Sequence, residues 1–222
     1  MGNTYGNLQK VRDGKRTYAI TPHIPGGFVS PEALEKIAGV ARKYHGVLKI
    51  TSGQRILITN LQDEDLPAIW DELKMEPAVK SQNSVKNVEM CPAAFCKRSK
   101  HNTMAIGMKL SKKYQWEEMP CRTKIGVAAC LNACGGIYSK DVGVIADKPG
   151  MMVVVGGSAG YNPRIADIIA KELTEEETLN LVDSVFKYYK ENAEAGEKMG
   201  FFIDRVGLDN FKEKVLLDVK LK

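Results

Sequence analysis

The sequence predicts an α+β protein built as two parts in series. A small sheet with two helices spans residues 17–80, and a second α+β region spans residues 81–222 and ends in helices. Three observations predict this. Strand-like and helix-like stretches alternate between residues 17 and 90. Four of the five cysteines fall in two close pairs, Cys91/Cys96 and Cys130/Cys134, with room between them for the chain to fold back. From residue 163 onward, helical patterning takes over.

Residues 1–16 are polar and contain glycine, so they read as a surface arm. Residues 17–21 read as a short strand, broken by Pro22 and by Pro25-Gly26-Gly27. Ser30-Pro31 is a helix start, with serine at the N-cap and proline at the first helical position. Leu34, Ile37, Ala41 and Tyr44 share a face of that helix, and Gly46 ends it. Residues 47–51 and 55–59 are strand-like and joined across Ser52-Gly53-Gln54, either as a hairpin or as one bulged strand. A second helix covers residues 63–75, with Leu66, Ile69, Trp70 and Leu73 inward. Residues 85–90 form a further strand.

Beyond the first cysteine pair, residues 101–113 have weak helical character through Met104, Met108 and Leu110. Residues 124–128 are a buried strand leading into Cys130. Residues 141–147 and 151–155 form a hairpin around Lys148-Pro149-Gly150. Helices are expected at 163–173, at 175–193 behind a Thr174/Glu177 capping box, and near Phe201 and Phe211.

Net charge is +5 and the pI about 8.8. This suits an anionic ligand, nucleic acid or an acidic protein partner. Aromatic content of only 7%, with no interleaving of aromatic and basic residues, argues against nucleic acid. No apolar run approaches the roughly 20 residues of a membrane span. The first residues carry no apolar leader, so the expected location is cytoplasmic. In a reducing compartment, paired cysteines bind metal more readily than they form disulfides.

Four thiols in two pairs suit a tetrahedral metal ion or an iron–sulfur cluster. Zinc sites usually leave two residues between paired cysteines. The gaps here are four and three, which disfavours zinc and leaves both open. Small neighbours (Ala93, Ala94, Ala129, Ala133, Gly135, Gly136) let backbone approach a bulky group. Cys121 stands apart as a bystander. His23, His45 and His101 show no ligand spacing, and Met104 and Met108 read as core.

Here the residues resemble a known family. Residues 120–135, PCRTKIGVAACLNACG, are similar to the block LPRKFKIAVSGCPNxCG of siroheme-dependent sulfite and nitrite reductases. Lys86-Asn87-Val88 ahead of Cys91-Pro92 resembles their RNV…CP segment. Residues 49–56, KITSGQRI, resemble their RxTxRQ strand. Residues 141–144, 154–157 and 163–167 match in order, so the resemblance runs over roughly residues 17–215. It implies a ferredoxin-like half-domain at 17–80 and a siroheme and 4Fe–4S domain at 81–222. The family pattern has five residues between the first two cysteines, against four here. It has arginine at Lys86 and proline at Leu131.

The resemblance further implies that Cys91, Cys96, Cys130 and Cys134 hold a 4Fe–4S cluster, with Cys134 bridging to the siroheme iron. Arg122 and Lys124, alternating on one strand and so on one face, would contact substrate, with Lys86 and Arg55 as further candidates. Lys49, Thr51, Gln54, Asn132 and Arg164 would serve the siroheme carboxylates, Arg164 from the start of a helix. The implied activity is six-electron reduction of sulfite to sulfide. Alternatives are nitrite reduction to ammonia on the same centre, or a siroheme and iron–sulfur redox protein without turnover. Electrons would come from a separate donor such as ferredoxin, and Lys97 and Arg98 would either join the siroheme pocket or form the donor's docking patch. With one repeat where larger members have two, the chain is expected to form a homo-oligomer.

Overall fold

The structure, a computed structural model, describes residues 5–11, 14–217 and 219. Residues 1–4 and 12–13 of the expected arm lie outside the described residues. The chain divides into two compact units, Met1–Lys80 and Ser81–Lys222.

In the first unit, β1 (Asn7–Leu8), β2 (Tyr18–Ile20), β3 (Val47–Ile50) and β4 (Ile56–Leu61) form an antiparallel sheet in the order β1-β2-β4-β3. The part of the arm that is described thus adds an edge strand, because β2 leaves an unpaired edge. Helices α1 (Pro31–Lys43) and α2 (Leu66–Leu73) close the layer. Ser30 caps α1 as expected, its hydroxyl accepting the Ala33 N–H at 3.2 Å. Ile37, Val40 and Ala41 of α1 meet Leu66, Ile69 and Leu73 of α2 over Ile20, Ile58 and Leu61 of the sheet. Each fully buried aliphatic side chain there contributes about 2 kcal/mol. β3 and β4 form a hairpin and not one bulged strand: Ile50 pairs with Ile56. Thr51 closes the turn, its hydroxyl accepting the Arg55 N–H at 3.2 Å and donating to the Arg55 carbonyl at 3.1 Å.

The second unit is built on a five-stranded sheet, β5 (Val85–Met90), β6 (Thr123–Ala128), β7 (Val142–Ala146), β8 (Met151–Val155) and β9 (Asp167–Leu173), in sequential order. β5, β6 and β7 run parallel, and β7, β8 and β9 antiparallel. α3 (Thr103–Tyr114) crosses between β5 and β6, and α4 (Glu175–Asn192), α5 (Met199–Val206) and α6 (Leu208–Leu217) complete the chain. Strands β5, β7 and β8 are buried at every position, the mark of a sheet covered on both faces. Alternation sorts the two faces. Val127, Val144, Val153 and Val155 point to the helices, among Leu181, Val185, Phe186 and Phe202. Ala128, Ile145, Met152 and Val154 point the other way, around Ile137 and Ala166.

One expected element is corrected. Residues 163–173 are not a helix: 167–173 form β9, with Ile168 opposite Val154 and Asp167 opposite Val155. Ile168 and Ile169 are β-branched, and β8 would otherwise leave its edge unpaired, so the sheet overrides the local pattern. The expected capping box does form, with Thr174 and Glu177 exchanging bonds at the start of α4.

Candidate active site

Adjacent parallel strands end side by side, and here both ends carry cysteines. β5 stops at Met90, next to Cys91, and β6 stops at Ala128, two residues before Cys130. Met90 is paired with Val127, so both cysteine loops leave the same, carboxyl end of the sheet. Ligand sites of open α/β sheets gather at this end. Backbone bonds stitch the loops together. The Cys91 N–H donates to the Val127 carbonyl at 3.0 Å, and the Lys100 N–H to the Ala129 carbonyl at 2.9 Å.

The sulfurs already sit among donors. Cys91 Sγ accepts the N–H of Ala129 at 3.2 Å and of Ala93 at 3.4 Å. Cys134 Sγ accepts the Asn132 amide, Nδ2, at 3.0 Å. Hydrogen bonds to sulfur tune a bound cluster. Ala93 and Ala133, one in each loop, hold φ of 43° and 44°. Left-handed backbone on a residue other than glycine is costly and concentrates at functional sites. Among the described residues, no three His, Cys, Asp or Glu side chains are gathered tightly enough for a single metal ion. A cubane holds its four thiolates farther apart than a single ion does. The chemistry of this donor set, four thiols with N–H groups aimed at sulfur and small residues alongside, fits an iron–sulfur cluster. Cys121 precedes β6 and so lies at the opposite end of that strand from Cys130.

Arg122 and Lys124 also belong to the amino end. They line a cavity of about 130 Å³ with Ser139, Lys140, Asp141, Lys198 and residues 157–160. The cavity forms where β6 and β7 begin and β8 ends. Its floor needs Gly157, since a Cβ there would meet the Tyr138 carbonyl oxygen at 2.3 Å. The Asp141 carboxylate accepts the Lys124 N–H at 2.8 Å. Burial, outweighing that bond and the charges of Lys198 and Lys124, pushes its pKa up to about 6. Lys140 brings no free charge, because its amine lies 2.5 Å from Glu89. Lys124, Gly126 and Ala128 share a face of β6, so pocket and thiols lie on one side of the sheet. About 13 Å of strand separates Lys124 from Ala128. Ile137 and the Lys140 stem lie over Gly126 in between.

The remaining expected site residues are dispersed. Lys86 on β5 is buried, and its amine donates to the Ser81 carbonyl. Arg164 is not at a helix start. It lies in a bridge with Ser158, and its guanidinium holds Asp167 at 2.6 Å, Asp204 at 2.9 Å and the Gly156 carbonyl at 3.1 Å. In the first unit, Lys49 is exposed on β3, and Thr51, Gln54 and Arg55 make the β3–β4 turn, Gln54 with φ of 57°. Asn132 is exposed beside Cys134. Asp141, Lys140 and Lys198 were not singled out from sequence. Lys198 comes from the far side of α4, and only the fold brings it to Lys124.

Comparison with known proteins follows these features. A family model described as "Nitrite and sulphite reductase 4Fe-4S domain" matches residues 81–222. One described as "Nitrite/Sulfite reductase ferredoxin-like half domain" matches residues 9–76. The chain is 32% identical over 204 residues to an assimilatory-type sulfite reductase of Nitratidesulfovibrio vulgaris, covering 91% of this chain and 94% of that protein. It is 34% identical over 208 residues to an NAD(P)H nitrite reductase of Bacillus subtilis, covering 93% of this chain but 25% of that protein. Two solved structures share the fold. Dissimilatory sulfite reductase I matches with a TM-score of 0.80 at 14% identity, over 93% of this chain and 72% of that one. The NirA protein of Mycobacterium tuberculosis matches with a TM-score of 0.79 at 16% identity, over 93% and 41%.

Proposed function

Because this chain belongs to the nitrite and sulfite reductase family, we propose that it is an oxidoreductase that reduces sulfite to sulfide. The reaction consumes six electrons and six protons and releases three waters. The observation that carries sulfite over nitrite is one of extent. The chain spans 94% of the Nitratidesulfovibrio vulgaris sulfite reductase and only 25% of the Bacillus subtilis nitrite reductase. Nitrite reduction to ammonia is the alternative on the same site.

The family implies siroheme and a 4Fe–4S cluster, and these supply one-electron steps and an iron that binds the anion. Cys91, Cys96, Cys130 and Cys134 are the cluster ligands in this reading. Cys134 is exposed where the other three are partly buried, so it would be the thiolate accessible to siroheme as well as to the cluster. Asn132 holds that sulfur through its amide. Arg122 and Lys124 supply positive charge to draw an oxyanion onto this face of the sheet. Lys86 and Arg55 are further candidates on sequence grounds, and Lys49, Thr51, Gln54 and Arg164 for the siroheme carboxylates. Of these, Arg164 and Lys86 already spend donors on protein partners.

Electrons arrive from a separate acidic donor such as ferredoxin. Phe95 and Leu131, one in each cysteine loop, are 76% and 53% exposed, with Lys97, Arg98 and Lys100 exposed beside Phe95. An exposed aromatic ring with cations following it in the same loop suits a small acidic partner. Among the described residues, no helix is long and apolar enough to cross a membrane, and a cytoplasmic setting fits the free thiols. A homo-oligomer is part of the same reading.

The test is direct. Purified protein should show a Soret band with a siroheme-type red band and contain acid-labile sulfide. With reduced methyl viologen it should form sulfide from sulfite faster than ammonia from nitrite. A colourless protein, or one that turns over nitrite alone, overturns the assignment.

A further inference from the structure

The sheet face that leads to the cysteine loops carries a buried charge pair for which neither the cluster ligands nor the basic pocket gives a reason. Glu89 on β5 is paired with Gly126 on β6, and Lys140 stands just ahead of β7. The lysine stem crosses β6 to reach Glu89, and Gly126 is the notch that lets it pass. A Cβ on Gly126 would meet Lys140 Cγ and Ile137 Cδ1, each at 2.9 Å. The Lys140 amine ends 2.5 Å from Glu89 Oε2, and both side chains are buried. Stability does not account for the pair. Desolvating two charges offsets their attraction, so apolar residues of similar volume do as well or better. Position offers a reason. Glu89 and Cys91 are two residues apart on one extended segment, so they share a face with about 7 Å between their Cα atoms. Cys91 packs against the same cluster as Ala128 and Ile137. Lys140 closes the stretch that begins at Cys130, its N–H donating to the Ile137 carbonyl at 3.0 Å. One partner thus stands ahead of the first cysteine loop and the other behind the second.

We infer that the Glu89–Lys140 pair sets the reduction potential of the centre held by the cysteine loops, Glu89 opposing the added electron and Lys140 favouring it. The pair acts through its field. The electron comes from the donor protein, no bond is made or broken, and both groups keep their protons throughout. Where water is excluded, a charge is felt over such a distance. Net charge and the dielectric around an iron–sulfur centre are among the terms that set its potential. Glu89 Oε1 is buried and accepts no hydrogen bond among the described atoms, so Lys140 is the charge that balances this carboxylate. While the pair is intact the two fields largely cancel. Removing either member leaves the other acting alone, with opposite effects.

The inference rests on the proposed function only for the presence of the iron–sulfur centre. Its test reads a potential and not turnover. Redox titration of the purified holoprotein, followed by visible absorbance and EPR, gives the midpoint of the centre. Lys140→Met leaves a negative charge and should make reduction about tenfold less favourable, a midpoint lower by about 59 mV for one electron. Glu89→Gln keeps the shape of the side chain, leaves a positive charge and should raise the midpoint by a similar amount. Each variant is compared with the parent at one pH, about 8 for Lys140→Met and about 6 for Glu89→Gln, so that the surviving charge stays in place. Lys140→Arg should keep the parental midpoint, and a shift as large as that of Lys140→Met would count against the field. Opposite signs are what a field produces. A pair that only braces the loops would move both midpoints the same way or neither, and either result overturns the inference. If Lys140→Met loses its centre, Glu89→Gln decides alone, and a midpoint at or below the parental one refutes the idea. Protein that carries the centre and forms no sulfide refutes the proposed function and leaves this inference standing. Protein without acid-labile sulfide overturns both.

Discussion

Lys140 Nζ and Glu89 Oε2 lie 2.5 Å apart under the β5–β6 face, with 11% and 4% of their side chains exposed. The other Glu89 oxygen, Oε1, is buried with no hydrogen-bond partner among the described atoms. Removing one member strands a buried charge. Lys140→Met should cost about 3–5 kcal/mol, read as a lower denaturant midpoint, whereas Glu89→Leu with Lys140→Met should recover most of the loss. A Lys140→Met protein as stable as the parent would show that the pair is not desolvated as described.

The thiols separate into four and one. Cys91→Ser should strip acid-labile sulfide and visible colour, since Cys91 anchors both loops through Ala93 and Ala129. Cys121→Ser, at the far end of β6, should leave both at parental levels. Iron and sulfide analysis of the two variants decides it, and equal loss in both would argue against the site.

Asp141 also sets a pH-dependent stability. Its folded pKa is about 6 against an ordinary 3.8. Between those values the folded state binds more protons than the unfolded one, so stability falls as pH rises from about 4 to 6 and stays reduced above. Asp141→Asn should therefore raise Tm at pH 7, by at most about 3 kcal/mol in stability, and change little at pH 4. A uniform shift at both pH values would contradict the burial that raises this carboxyl.

His23 has the opposite sign. Burial, then the charge of Arg55, lowers its pKa below the usual 6.5. The unfolded chain then binds the extra proton, and stability is lost as pH falls below about 6.5. His23→Gln should blunt the acid-side fall in Tm between about pH 6.5 and 5, measured by thermal melts across that range.

Arg164 should matter to folding first. Arg164→Ala removes the bridge between Asp167 on β9 and Asp204 on α5 and should cost about 1–2 kcal/mol. Siroheme content per folded chain should change less than stability does. The ratio of Soret absorbance to protein in the soluble fraction separates the two effects.

How much was legible from the sequence depends on how local each signal was. Ser30, the Thr174/Glu177 box and the Ile37/Ala41 stripe act within a few residues, and the helices they define are where the pattern puts them. The cysteine pairs were legible because each lies within a few residues, Cys91/Cys96 and Cys130/Cys134, whereas the side-by-side placement of the two loops comes from the pairing of β5 with β6. β9 was not, because Ile168, Ile169 and Leu173 fit a helical face as well as a strand, and only the open edge of β8 decides between them. Lys198 carries no local mark at all. Its meaning arises when α4 returns the chain to the start of β6. Arg164 shows the reverse: a basic residue in a matching segment whose donors the fold assigns to carboxylates.

The position of the Cys91–Cys96 loop beyond the last paired residue of β5 makes its length an adjustable parameter. A residue added between Pro92 and Cys96 would shift no strand register, since pairing ends at Met90 and Val127. Drift in that spacing can therefore accumulate without refolding the scaffold. The gap of four becomes a tuning dial for cluster exposure, open to engineering by single-residue insertion while the sheet beneath stays as it is.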